Sequence, residues 1–261
     1  VIGGFLLVRY VLTPAEFKAQ TNPAPACKAQ AFDKSALVFD TLLICGTNGV
    51  SAEKLTYAAN VAAEWLDNDE DGNVDEPRLL DAMKGSDPVV LMTGNGITAL
   101  AMPSLLPAVL GRKSQDLSAA ETNPTGDRRD ASQEEIHHII MNAGWQTLAP
   151  TIFSDQTSNH SKLYQAWKFA NDNAHYAYDD PTCNDSCKVV EFVYLATAAY
   201  LGSAADLESD EMRLKTRAAL AETIPAVIEI FESTDYTYPT NHWPDGTYDH
   251  AEKIELTISN E

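Results

Sequence analysis

Basic residues are scarce in this sequence. Lysine and arginine total 18 against 38 aspartates and glutamates, a formal net charge of −20 over 261 residues. Such a surface repels phosphate backbones and anionic headgroups, so neither nucleic acid nor membrane is an expected partner; cations are. Long apolar runs are missing as well. Nothing approaches the roughly 20 residues that span a bilayer. The opening Val1-Ile2-Gly3-Gly4-Phe5-Leu6-Leu7-Val8 is too short to span, and it has neither a basic leader nor a small-residue cleavage site. It reads as the start of a mature chain. No GxSxG, P-loop or GxGxxG string occurs, which removes the common serine-hydrolase and nucleotide-binding signatures. Hydrophobic residues still make up 44% of the chain, enough for a globular core.

Cysteine is sparse but informative. Cys27 and Cys45 form one sequence-neighbouring pair, Cys183 and Cys187 the other. Neither pair has CxxC spacing, so disulfides are expected over a zinc ribbon or redox motif. Disulfides imply an oxidising compartment. The sequons Asn159-His160-Ser161 and Asn184-Asp185-Ser186 agree with a secreted glycoprotein. Val1-Ile2-Gly3-Gly4 has the form of a trypsin-like mature terminus, but no GDSGG string follows and that reading is rejected.

The chain reads as one secreted, monomeric α+β domain, rich in helix, with three strands gathered in the first hundred residues. Residues 1–35 supply an N-terminal strand (1–12) and an extended connector at 21–26; 36–248 form the core; 249–261 form a tail. Leu37 to Ile44 reads as a buried strand, and Pro88 to Met92 as another. Ser51 is placed to cap a helix on which Leu55, Ala58, Ala59, Ala62 and Leu66 recur at helical spacing. A polar stretch from Gly111 to Asp130 reads as loop. Helical patterns return at 131–143, 160–172, 187–201 and 210–232.

Residues 67–75 read Asp-Asn-Asp-Glu-Asp-Gly-Asn-Val-Asp. Asp67, Asp69, Asp71 and Asp75 take loop positions one, three, five and nine, with Asn73 between and Gly72 at the turn. A hard cation needs several oxygens converging at about 2.3–2.6 Å, and alternate carboxylates about a glycine turn supply them. A helix leads into this EF-hand-like loop, so bound calcium with a structural role is expected. Position twelve holds Arg78 instead of glutamate. The last ligand is then Asp75, Glu76, Asp81, a distant carboxylate or water. The plainer alternative is a solvated acidic turn.

The most chemical segment is Glu134-Glu135-Ile136-His137-His138. On a helix Glu134 and His138 share a face and can grip one ion, with Glu135 positioned as a general base. The i,i+3 pairs Glu134–His137 and Glu135–His138 are alternatives, as is an amphipathic helix that merely buries Ile136, Ile139 and Ile140. Glu191 stands in an otherwise apolar helix, where a charge is costly unless paired, protonated or metal-bound. Its simplest partner by spacing is Lys188. One imidazole with two carboxylates is a harder donor set than the usual zinc site, so manganese, iron or calcium also become candidates beside zinc. His137, His175, Tyr176, Tyr178 and His242 are further residues able to line a cleft. Only one Glu-x-x-His segment is present, against the two of di-iron bundles.

The Glu-Glu-x-x-His helix resembles the HExxH helix of zincin metallopeptidases, with Glu134 in place of the first histidine. That resemblance implies Glu134 and His138 as ligands, Glu135 as base, and Glu191 as a third ligand of the glutamate type, at longer spacing than theirs. More broadly, the acidic loop after a helix, the Glu-Glu-x-x-His helix ending Ala143-Gly144-Trp145, Tyr178-Asp179-Asp180-Pro181-Thr182-Cys183 and Pro244-Asp245-Gly246-Thr247-Tyr248 resemble a group of secreted calcium-loop proteins. This supports the architecture over most of residues 36–248 and implies no particular reaction. The expectation is a zincin-like, calcium-stabilised metallohydrolase acting on peptide. Its alternative is a non-catalytic calcium-binding protein that engages extracellular macromolecules.

Overall fold

A computed structural model describes residues 24–258 except 100 and 127. The strand expected at 1–12 and the start of the connector lie outside the described residues. Five strands, β1 (Phe32–Val38), β2 (Leu42–Thr47), β3 (Val89–Thr93), β4 (Ser114–Ser118) and β5 (Ile254–Ile258), form a mixed sheet in the order β4-β3-β2-β1-β5. β1 runs antiparallel to β2 and β5, while β2, β3 and β4 run parallel. With helices on its faces, this is an α+β architecture.

Strand period two explains how both faces are buried. Ala36, Val38, Leu42, Ile44, Val90 and Met92 point into the larger core. Leu43, Cys45, Val89 and Leu91 alternate with them and point into a smaller core on the other face, which Phe32 joins because the register of β1 shifts between Phe32 and Lys34. α1 (Ala52–Leu66), capped by Ser51 as expected, and α4 (Ala131–Ile140) pack on the first face. α3 (Met102–Val109) covers the second through Leu105 and Ala108. The Cys27–Cys45 disulfide closes that smaller core; a sequence separation of 18 is worth about 3 kcal/mol in the loop-closure picture.

Several elements differ from the sequence reading. The apolar run Leu37–Ile44 is a hairpin and not one strand, because Phe39 and Asp40 turn through left-handed backbone and Thr41 Oγ1 donates to the Phe39 carbonyl. Among the described residues there are five strands, where two were expected there and a third at 1–12. β4 lies in the polar stretch assigned to loop: an edge strand needs only β3 on one side, so Gln115 and Asp116 are tolerated there. β5 lies in the segment assigned to the tail. The pattern at 210–232 divides into α7 (Arg217–Thr223) and α8 (Pro225–Phe231), since Pro225 forces Ile224 out of helical geometry. α2 (Pro77–Lys84) and α3 had no counterpart in that reading.

The remaining long helices, α5 (Lys162–Asp172) and α6 (Asp185–Leu201), complete the helical layer. α6 is buried on all sides from Val189 to Ala199, which is why its pattern shows little periodicity. Asn184 caps it, and the Cys183–Cys187 disulfide ties its first turn. α4 continues through a π-turn at Met141–Trp145. Gly144 there faces α2 so closely that a Cβ would meet Leu79 Cδ1 at 2.5 Å. Among the described residues no helix is long and apolar enough to cross a membrane.

Candidate metal centre

α4 and α6 pack against each other and bring a group of acidic and histidine side chains together. Asp130 caps α4, its Oδ1 accepting from Ser132 N and Oγ, and this start places Glu134 and His138 one turn apart on the face toward α6. Glu191 comes from the middle of α6. Glu134, His138 and Glu191 each offer one ligand atom, and those atoms lie within 4.8 Å of one another. His138 Nε2 and Glu191 Oε2 are 3.6 Å apart, beyond hydrogen-bonding distance. Both atoms are buried without a hydrogen-bond partner, in residues only 5% and 8% exposed. No ion pair joins Glu191 to Lys188 among the described residues.

Electrostatics sharpens the picture. Burial, then the neighbouring Glu134 and Glu135, push the Glu191 carboxyl well above the usual carboxylate range. Burial and Glu134 do the same to Glu135. Burial pushes the His138 imidazole down to about 4, which keeps it neutral and its lone pair free to bind at physiological pH. Carboxyls so crowded and dry need protons or a cation, and a neutral imidazole beside them suits a cation.

Arg129 supplies part of that positive charge and was not found from sequence. Its Nε lies 3.5 Å from Glu134 Oε2 and 3.4 Å from Asp206 Oδ1, and its Nη1 lies 3.4 Å from Glu211 Oε2. Burial opposes its charge, but Glu134 and its other acidic neighbours outweigh that. It precedes α4 in a polar stretch without pattern, so only the fold reveals it. Gln115 of β4 is a second such residue. Its Nε2 donates to Glu135 Oε2, and the same oxygen stands 3.5 Å from His138 Nδ1.

The other expected residues divide. Tyr178 and Tyr176 sit close enough to Glu191 for its charge to raise both phenols, after burial as the main cause. His137 faces away, with Nε2 3.0 Å from Tyr238 Oη and its ring against Trp65. His175 stacks on Phe169 at the end of α5, apart from this centre. His242 belongs elsewhere: its Nε2 lies 3.1 Å from Glu70 Oε1, and with Glu64 these form a second Glu/His group that sequence reading missed.

The acidic loop joins α1 to α2. Asp67, Asp69 and Asp71 present oxygens within 4.8 Å of one another. Asp67 accepts from Asp71 N, Gly72 N and Tyr248 Oη, and Gly72 takes a φ of +86° at the turn. Asn73 donates from both N and Nδ2 to Asp71 Oδ1. Asp75 accepts from Asn68 N, and burial raises its carboxyl to about 6, with Asp69 and Asp67 adding to the shift. Of the alternatives for the last ligand, Glu76 is engaged by Arg78, which turns away to it and to the Asp235 carbonyl, and Asp81 lies exposed near Lys84. A C-terminal strap closes over the loop: Asn68 holds Asn241 N and the His242 carbonyl, and Glu64 accepts from Asp245 N and Gly246 N.

Comparison with known proteins returns no match: no family model, curated protein or solved structure matches the chain.

Proposed function

We propose that this chain is a secreted, calcium-stabilised metallohydrolase with a zincin-like centre, in which Glu134, His138 and Glu191 hold one divalent transition ion. The observation that carries this is the pair of buried, partnerless atoms, His138 Nε2 and Glu191 Oε2, facing each other beside Glu134 at a separation suited to a shared ion. The mixed carboxylate and imidazole donors suit zinc, manganese or iron. When bound, such an ion would polarise a substrate carbonyl and lower the pKa of a coordinated water toward about 7. The chain's own residues hold the ligands in place: Arg129 steadies Glu134, and the apolar length of α6 excludes water behind Glu191. The two disulfides fit an oxidising compartment. Calcium in the 67–75 loop, with Asp67, Asp69, Asp71 and Asp75 as side-chain ligands, fixes the strap that packs beside α4.

A second reading has its own observation. His138 and Glu191 are so nearly enclosed that the ion could serve structure alone, in a non-catalytic metal-binding protein. One experiment separates the two. Protein purified with calcium is assayed for metal content and for hydrolysis of peptides and esters, with and without phenanthroline, which spares calcium. A transition ion at about one per chain with phenanthroline-sensitive hydrolysis supports the hydrolase. The ion without hydrolysis selects the structural reading, and absence of the ion overturns both.

A further inference from the structure

Metal-bound histidines nearly always donate their second ring nitrogen to a carboxylate or carbonyl, which fixes the tautomer and the ring orientation. His138 has its two nitrogens in different surroundings. Nε2 faces Glu191, 3.6 Å away, and has no hydrogen-bond partner. Nδ1 faces Glu135 Oε2 at 3.5 Å, from one turn earlier on the same helix. Glu135 is itself held from outside the helix, by the Nε2 donor of Gln115 on β4. A carboxylate at Nδ1, anchored to the sheet, stands where an orienting partner would stand.

We propose that Glu135 is a positioning residue: fixed by Gln115, it accepts a hydrogen bond from His138 Nδ1–H and so commits Nε2 to the ion shared with Glu134 and Glu191. This rests on the metal-centre reading above and replaces the role of base that the helix resemblance implies for Glu135. With an ion on Nε2, His138 Nδ1–H would be a stronger donor and Glu135 would close on it from 3.5 Å to hydrogen-bonding distance. β4 thereby becomes part of the site although it contributes no ligand. An edge strand carrying glutamine at this point, instead of an alternating apolar residue, follows from that task.

The test uses the full chain with calcium present throughout and Co2+ as the probe. Affinity is measured by competition with a chelating dye, and the visible spectrum of bound Co2+ reports ligand geometry. Glu135→Gln is expected to weaken Co2+ binding by about 10–100-fold and to change the visible bands. Gln115→Leu, which leaves every ligand and Glu135 itself in place, is expected to move both readouts the same way by a smaller factor. Glu135→Asp should recover part of the affinity, which a merely structural role would not produce. Wild-type binding that is lost in His138→Ala, combined with unchanged affinity and spectrum in both Glu135→Gln and Gln115→Leu, overturns the positioning role while leaving the metal centre standing. Retention of the wild-type spectrum in Glu135→Gln with loss of hydrolysis also overturns it, in favour of a base. Failure of the wild type to bind Co2+ outside the calcium loop overturns the centre and the positioning role together.

Discussion

The acidic loop and the centre between α4 and α6 both gather carboxylates, but by opposite routes. The loop draws its oxygens from residues 67–75, successive along the chain, with Asp69 and Asp71 exposed, Asp75 half-buried and Asp67 buried. The centre draws a half-buried Glu134 and a buried Glu191 from helices far apart in sequence and sets them beside a buried histidine. Water and salt screen Asp69 and Asp71, and backbone donors with Tyr248 satisfy the buried Asp67, so an ion there adds stability to a turn that is already shaped. No such relief exists between the helices, where partnerless polar atoms carry a desolvation cost. A turn's ion is optional for its shape; a buried carboxylate group needs a cation or protons.

The comparison breaks most sharply if one ligand is removed at the centre. His138→Ala is expected to weaken transition-metal binding by more than the roughly 10–100-fold typical of losing an outer partner of a ligand, with calcium affinity unchanged. Isothermal titration with each metal checks both halves. If calcium binding fell in parallel, the two regions would be one coupled site. Next in size is calcium removal. A ligand that binds only the folded state adds about 2.7 kcal/mol at a hundredfold excess over its Kd, so EGTA should lower the Tm measurably in scanning calorimetry. An unchanged Tm would make residues 67–75 a solvated turn.

The same contrast decides what could be read from the sequence. The loop's oxygens, its Gly72 turn and the Ser51 cap before it are local patterns, because backbone geometry alone sets their spacing. Glu134 and His138 are legible for the same reason, being one helical turn apart. Glu191 shows only as a charge in an apolar helix; that it meets His138 depends on how α6 crosses α4. Arg129 and Gln115 carry no pattern at all, and their roles exist only once the polar stretch at 111–130 is seen to hold β4 and to deliver Arg129 to α4. In the fold, Pro225 and the Phe39–Asp40 turn were visible as residues, yet the apolar periodicity running across each one masked the break.

A smaller effect is expected beside the centre. Burial, then Glu135 and Glu121, raise the Asp116 carboxyl to about 7 from a model-peptide value of 3.8. Between those values the folded state holds more protons than the unfolded one, so stability falls as pH rises through this window. Above it the whole penalty applies. Asp116→Asn should flatten that fall and leave the protein more stable by about 1–3 kcal/mol at pH above about 8, as read from urea unfolding across pH. Equal slopes in variant and wild type would show that Asp116 ionises freely. Smallest of all is the response to Arg78→Ala. Arg78 occupies the loop's twelfth position but points to Glu76 and Asp235, and its side chain is 59% exposed. Calcium affinity is expected to stay within about threefold, as for the loss of an exposed ion pair. A larger loss in titration would place Arg78 or its Glu76 partner in the ion's immediate surroundings.

The central claim concerns a single position between two helices, and anomalous diffraction tests it most directly. Crystals of the full chain, grown with calcium and zinc, would be measured above and below the zinc absorption edge. The account predicts one zinc peak within about 2.0–2.2 Å of His138 Nε2 and of one oxygen each from Glu134 and Glu191, separate from any density in the 67–75 loop. A map with no zinc peak at that position would contradict it.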